Sequence, residues 1–160
     1  MKSPITGGNA TLKSMPAEQE FRGEKYAYTY RYYVCDDTGE EFTTTEIDEA
    51  NIQQVYDQYR QKYGVPTPAA IQQTREKYGL SAALMSRILG WGDNQYRLYE
   101  SGIIPSLANS RTLAVIANPF IFLDYVEIAR RQLSDKDYEK AKENVVRAIV
   151  REKESLRDRV

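Results

Sequence analysis

Asp93, Asn94, Gln95 and Arg97 are the residues of this 160-residue chain whose types and spacing best suit a chemical task. An Asn or Gln amide pairs bidentately with adenine N6 and N7, and an arginine reaches guanine or a phosphate. At the start of a short helix such groups point outward, while the interleaved Tyr96 and Tyr99 point inward. Ser81 and Arg87, on the segment just before, would add flanking polar contacts to a sugar-phosphate backbone. The bland alternative for the same residues is an exposed polar face on a small helical scaffold.

Composition narrows the other chemistries. The chain has no histidine, which excludes a serine or cysteine hydrolase with a histidine base and a histidine-ligated metal centre. Its one cysteine, Cys35, cannot form an internal disulfide and fits a reducing compartment. No spacing brings a nucleophile, a base and an orienting group together, so neither an enzyme nor a cofactor is expected.

Polar readers need a rigid holder, and residues 77–102 read as a helix-turn-helix. One helix is predicted over 81–89, with Ser81 as its N-cap, and a second over 92–101, stopped by Gly102. Gly90-Trp91-Gly92 makes the turn, both glycines being expected at positive φ with Trp91 filling the corner. Met85, Ile88, Leu89, Trp91, Tyr96 and Tyr99 are the expected core. Helices over 68–78, opened by Thr67-Pro68, and over 106–116 complete this module.

Around the module the periodicity changes. Short strands are predicted at 10–13, 17–21, 26–34 and 40–44, with turns at 22–25 and 36–39. Tyr26, Tyr28, Tyr30 and Tyr32 share one strand face, read as core packing rather than a ligand platform. Ile52, Val55, Tyr56, Tyr59 and Tyr63 form a helical stripe over 46–63, whose Gln-, Asp-, Lys- and Arg-rich reverse suits a solvated connector. Helices over 119–133 and 134–156 follow. Tyr138, Ala141, Val145 and Ile149 give the last one an apolar stripe, which needs a partner surface on this chain or on a second copy.

The expected layout is therefore α+β. A small antiparallel β domain occupies 1–46, a connecting helix 47–65, the helix-turn-helix domain 66–118, and a helical extension suited to dimerisation 119–160. Net charge is −1 overall but uneven along this layout. Residues 1–65 carry seven basic against eleven acidic side chains, 66–118 five against three, and the remainder ten against nine. Only the middle segment clearly favours phosphate, so DNA affinity would call for a dimer that sums two modest footprints. No apolar run reaches the roughly 20 residues of a membrane span, and the Met-Lys-Ser-Pro start lacks the apolar centre of a signal peptide. A cytoplasmic protein without membrane contact is expected.

Two further motifs carry a family resemblance. The run from Gly79-Leu-Ser to Arg-Leu-Tyr-Glu-Ser-Gly102 resembles the Xre, or lambda-repressor-like, helix-turn-helix family. Ser3-Pro-Ile-Thr-Gly-Gly8 and Cys35-Asp-Asp-Thr-Gly-Glu-Glu-Phe42 look like worn copies of a zinc ribbon, whose intact form would be Cys-Pro-x-Cys-Gly-Gly and Cys-x-x-Cys-Gly-Glu-Glu-Phe. In this order, over about residues 1 to 112, they resemble the MqsA-type (YgiT-like) antitoxins of bacterial toxin–antitoxin systems.

The resemblance implies a homodimer that reads a palindromic operator in double-stranded DNA, represses its own operon and captures a cognate toxin through the acidic N-terminal domain. It places Ser3, Thr6, Cys35 and Thr38 where four zinc-binding thiolates stand. One thiolate with three hydroxyls cannot hold structural zinc, so no metal is expected, and hydrogen bonds would link these side chains instead. Cys35 is then a structural relic rather than a reactive thiol, since no nearby Lys or Arg cluster lowers its pKa. The resemblance also assigns base reading to Asn94. Ala82 stands where the family carries a phosphate-contacting glutamine, and Leu98 where it carries arginine, which shifts the reading onto Asn94, Gln95 and Arg97. A toxin-binding or other protein-interaction module that has lost DNA binding is the alternative function.

Overall fold

The computed structural model describes residues 1–159, which are α+β: a three-stranded antiparallel sheet followed by seven helices. They form two compact units, residues 1–62 and the chain from Tyr63 onward. No helix among the described residues is long and apolar enough to cross a membrane.

The first unit is built on a long hairpin of β1 (Ala10–Phe21) and β2 (Glu24–Cys35), to which β3 (Glu41–Phe42) adds a short third strand. Phe21 pairs with Glu24, so the loop is the two residues Arg22 and Gly23, at φ 50° and 79°. Positive φ at both positions is what a type I′ turn demands. The Arg22 guanidinium then lies over the rings of Phe21 and Tyr59 at 5.2 and 5.0 Å and donates to the Tyr59 hydroxyl at 2.9 Å.

Two predicted strands, 10–13 and 17–21, are in fact one. Pro16 does not break β1 because it sits opposite Thr29, whose N–H and C=O turn away toward Gln54. At such a pair the proline nitrogen faces the outer edge of the sheet, where no ladder bond is needed.

Helix α1 (Thr45–Tyr63) closes the other edge of β2. Beyond the two residues paired with β3, three amide side chains take the place of a strand. Asn51 donates to the Arg31 carbonyl at 2.9 Å and accepts its N–H at 3.0 Å, and Gln54 does the same for Thr29 at 2.8 and 3.1 Å. Gln58 donates to the Ala27 carbonyl at 2.8 Å. The Gln-rich face expected to be solvated is thus spent on the strand backbone, and Asn51 is buried. On the tyrosine face of the hairpin Tyr26 is buried and Tyr28, Tyr30 and Tyr32 are half-buried, in keeping with packing.

The second unit holds α2 (Pro68–Tyr78), α3 (Ala82–Ile88), α4 (Gln95–Glu100), α5 (Leu107–Val115), α6 (Pro119–Ile128) and α7 (Asp135–Arg157). Side-chain caps start five of them: Thr67, Ser81, Ser106, Asn118 and Ser134 accept the N–H of Ala70, Leu84, Asn109, Phe120 and Asp137. Each cap contributes about 1 kcal/mol. The helix expected over 119–133 ends earlier, at Ile128, and passes through a 3-10 turn at Arg130–Gln132.

One core runs through the unit. Tyr78 stacks on Phe122 with ring centroids 4.5 Å apart and donates to the Ile116 carbonyl at 2.6 Å. Tyr138, Ala141, Val145 and Ile149 are all buried in it, so the apolar stripe of α7 is covered by its own chain. From the same helix Asn144 donates to the Tyr78 carbonyl at 2.9 Å and Arg151 to that of Lys77 at 3.1 Å. These bonds satisfy carbonyls that the end of α2 leaves without helical partners.

Candidate nucleic-acid interface

Helices α3 and α4 are joined by the turn the sequence predicts, with a later restart. Gly90 takes φ 74° and Gly92 does not have positive φ, so only one of the two glycines uses its freedom. The second helix was expected from residue 92 and begins at Gln95. Asp93 and Asn94 therefore belong to the turn. Asn94 occupies the N-cap position with helical φ and ψ, and its side chain makes no capping bond. The backbone N–H of Tyr96 is satisfied instead from α3, by the Ser86 hydroxyl at 2.9 Å within the buried core. Trp91 fills the corner, edge-on to Tyr99 at 5.4 Å.

At six residues α4 is too short to hold together by itself. Its inward face does the holding. Tyr96 and Tyr99 are buried, the Tyr96 hydroxyl donates to the Ile71 carbonyl of α2 at 2.6 Å, and Asn109 of α5 donates to the Tyr99 hydroxyl at 2.8 Å. At the far end Glu100 receives Arg75 of α2 through two bonds, from Nε at 2.5 Å and Nη2 at 3.3 Å. That hydrogen bond raises the Arg75 pKa further above its ordinary value. Ser86, Arg75 and Glu100 are positioning residues missed in the sequence. A patterned sequence shows that Tyr96 faces inward, but nothing in it pairs Arg75 with Glu100.

The outward face is simpler. Asn94, Arg97 and Ser101 are exposed and recur at one helical spacing, with Leu98 half-buried beside them. Gln95 is half-buried. The remaining candidates divide differently. Ser81 spends its acceptor on the Leu84 N–H at 3.1 Å. Arg87 stands between two carboxylates, Asp137 at 3.3 Å and Asp93 at 3.9 Å. Both pairs are solvent-accessible and individually weak. Asp93 stays exposed beside Arg87; its carboxylate repels phosphate, and in the major groove it could accept only from the amino groups of cytosine N4 or adenine N6.

The other predicted cluster also assembles. Two turns of the first unit have the same backbone bonding: Ser3 N–H to Gly8 O and Gly7 N–H to Ser3 O in one, Cys35 N–H to Glu40 O and Gly39 N–H to Cys35 O in the other. Thr6 and Thr38 occupy equivalent places, their hydroxyls accepting from the N–H of Gly8 and Glu40 at 3.2 Å. Thr6 Oγ1 lies 3.5 Å from Cys35 Sγ and donates to Asp37 at 2.7 Å. This donor set does not fit structural zinc, because three of the four positions are neutral hydroxyls already engaged in hydrogen bonds.

Cys35 is fully buried, and hydroxyl hydrogen bonds from Ser3, Thr38 and Thr6, in that order of weight, outweigh burial and hold its thiol down to about 6. The sequence shows no Lys or Arg cluster to lower its pKa, and none contributes; neighbouring hydroxyls lower it instead. A thiol whose folded pKa is depressed stabilises the fold above the unfolded pKa of about 8.5, and that contribution is lost as pH falls through about 6. Titrating the thiolate by its ultraviolet absorbance should therefore give a midpoint near 6, moved upward by Ser3→Ala. A midpoint at or above about 8.5 would remove the hydroxyls from this role.

Comparison with known protein families and with curated proteins finds no match to the chain.

Proposed function

We propose that this chain is a sequence-specific DNA-binding transcriptional regulator, the antitoxin of a type II toxin–antitoxin pair that binds a palindromic operator as a homodimer. One observation carries the reading: α4 is fixed from behind by Tyr96, Tyr99 and Glu100, while Asn94 and Arg97 project outward with the Asn94 amide uncommitted to capping. A helix held this way can enter a major groove without ordering itself on contact. Asn94 would read adenine, and Arg97 guanine or a phosphate. The equivalent turns around Ser3 and Cys35 support the likeness to a zinc ribbon, and the acidic first 65 residues suit capture of a basic toxin.

An electrophoretic shift with the chain's own promoter tests this. Asn94→Ala should weaken binding by about 5- to 150-fold and relax specificity at one base pair, as loss of a bidentate contact does. Arg97→Ala should either do the same or weaken all sequences alike and flatten the salt dependence. Unchanged binding in both variants refutes the contact assignment. The runner-up, a protein-interaction module without DNA binding, is favoured by the two carboxylates beside Arg87 and by Ala82 and Leu98. It predicts no salt-dependent affinity for any duplex.

A further inference from the structure

Burying one stripe of α7 leaves the opposite face of this long helix in solvent, and that face has an order of its own. Glu139, Glu143, Val146, Val150, Lys153 and Arg157 are all exposed. At 100° a residue they fall within about 40° of a single line along the helix. Along that line the chemistry runs acidic, apolar, basic. Its centre is Ala148: Glu139 and Arg157 lie equally far from it, as do Glu143 and Lys153, and Val146 and Val150.

A stripe arranged like this matches its own reverse. We propose that α7 pairs antiparallel, about a twofold axis, with α7 of a second copy, setting Glu139 and Glu143 against the second copy's Arg157 and Lys153 across a centre of Val146 and Val150. The twofold makes every charged contact occur twice. The apolar centre is real: Val146 and Val150 are 41% and 48% exposed and line a shallow groove of about 300 Å³ with Arg147 and Arg151. Phe120, 48% exposed, extends the patch and lies 5.7 Å beneath the Lys153 ammonium, which keeps that charge beside the stripe.

The helix dipole does not account for the pattern. It favours acids in the first turn and bases in the last, where Asp135, Asp137 and Arg157 already stand, and fades within one turn. Glu143 and Lys153 lie inside those ends. Glu143 also pairs with Arg147 one turn on, but that pair is exposed on both sides and leaves the carboxylate room for a second cation.

The pairing is independent of DNA binding, and sedimentation velocity on the full chain over a wide concentration range tests it. Wild type should dimerise, less so as salt rises. Glu139→Lys with Glu143→Lys makes the stripe uniformly basic at both ends, and Lys153→Glu with Arg157→Glu makes it uniformly acidic. Each should weaken self-association about tenfold or more. Mixing the two variants should restore a dimer, as should carrying all four reversals on one chain. Unchanged circular dichroism shows that the fold is intact in each. A wild type that stays monomeric, or reversals that leave the dimer untouched, overturns the proposal.

Discussion

Tyr96→Ala is expected to destabilise the helical unit by about 4 kcal/mol, as truncation of a fully buried aromatic ring generally does. For a unit of this size that lowers the melting temperature by roughly 20 °C. The ring is completely buried among α2, α3 and α4, and two polar anchors converge on it. Its hydroxyl donates to the Ile71 carbonyl and its backbone N–H to Ser86. Tyr96→Phe separates the terms. It keeps the ring and the Ser86 bond and removes one donor from a carbonyl on a helix that supplies its own bonding, so about 1 kcal/mol should be lost. Thermal and urea unfolding followed by far-ultraviolet circular dichroism reads both variants. If Tyr96→Phe falls as far as Tyr96→Ala, the ring is not the anchor. Burial pushes the Tyr96 phenol well above its ordinary pKa, as it does for Tyr78. The unfolded phenol ionises first, so the contribution of both is complete below about pH 10 and declines above it.

What the sequence made legible follows from how local each cause is. Thr67, Ser81, Ser106, Asn118 and Ser134 act within one turn of themselves, so five helix starts could be read from single residues and their neighbours. The start of α4 could not. Its first N–H, of Gln95, turns back to the Gly92 carbonyl and its second, of Tyr96, is taken by Ser86 from another helix, while Asn94 stands in the turn with its side chain making no capping bond. That 10–13 and 17–21 form one strand was hidden for a related reason: whether a proline such as Pro16 breaks a strand depends on which edge its nitrogen faces, and that is set by its pairing with Thr29 across the hairpin. The amides of Asn51, Gln54 and Gln58 look like a solvated surface until the strand they bond is placed beside them. At the candidate interface the outward residues Asn94 and Arg97 were readable from pattern. Arg87 was readable as a cation but not as one already held by Asp93 and Asp137.

Glu100→Ala is expected to cost about 2–3 kcal/mol, toward the low end for breaking a buried ion pair because some solvent reaches this one. The side chains of Arg75 and Glu100 are 24% and 15% exposed. Removing the carboxylate leaves the guanidinium with the Leu80 carbonyl at 3.3 Å, a single neutral acceptor in place of two charged bonds. Arg75→Ala strands Glu100 in turn and should cost about as much. The double variant should be less damaging than the two summed, with a coupling of about 1–2 kcal/mol in a double-mutant cycle by urea unfolding. A coupling near zero would mean that the pair is incidental. Arg75→Lys should rescue little, since an ammonium cannot present the two parallel donors that Oε1 and Oε2 accept. The consequence reaches the outward face. Tyr96 fixes the first turn of α4 while Tyr99 and Glu100 fix its end, with Arg97 between them, so losing the Glu100 bonds loosens the end of a six-residue helix. On the proposed function, Glu100→Ala at a temperature where the unit stays folded should therefore lower operator affinity while sparing the nonspecific, salt-driven component.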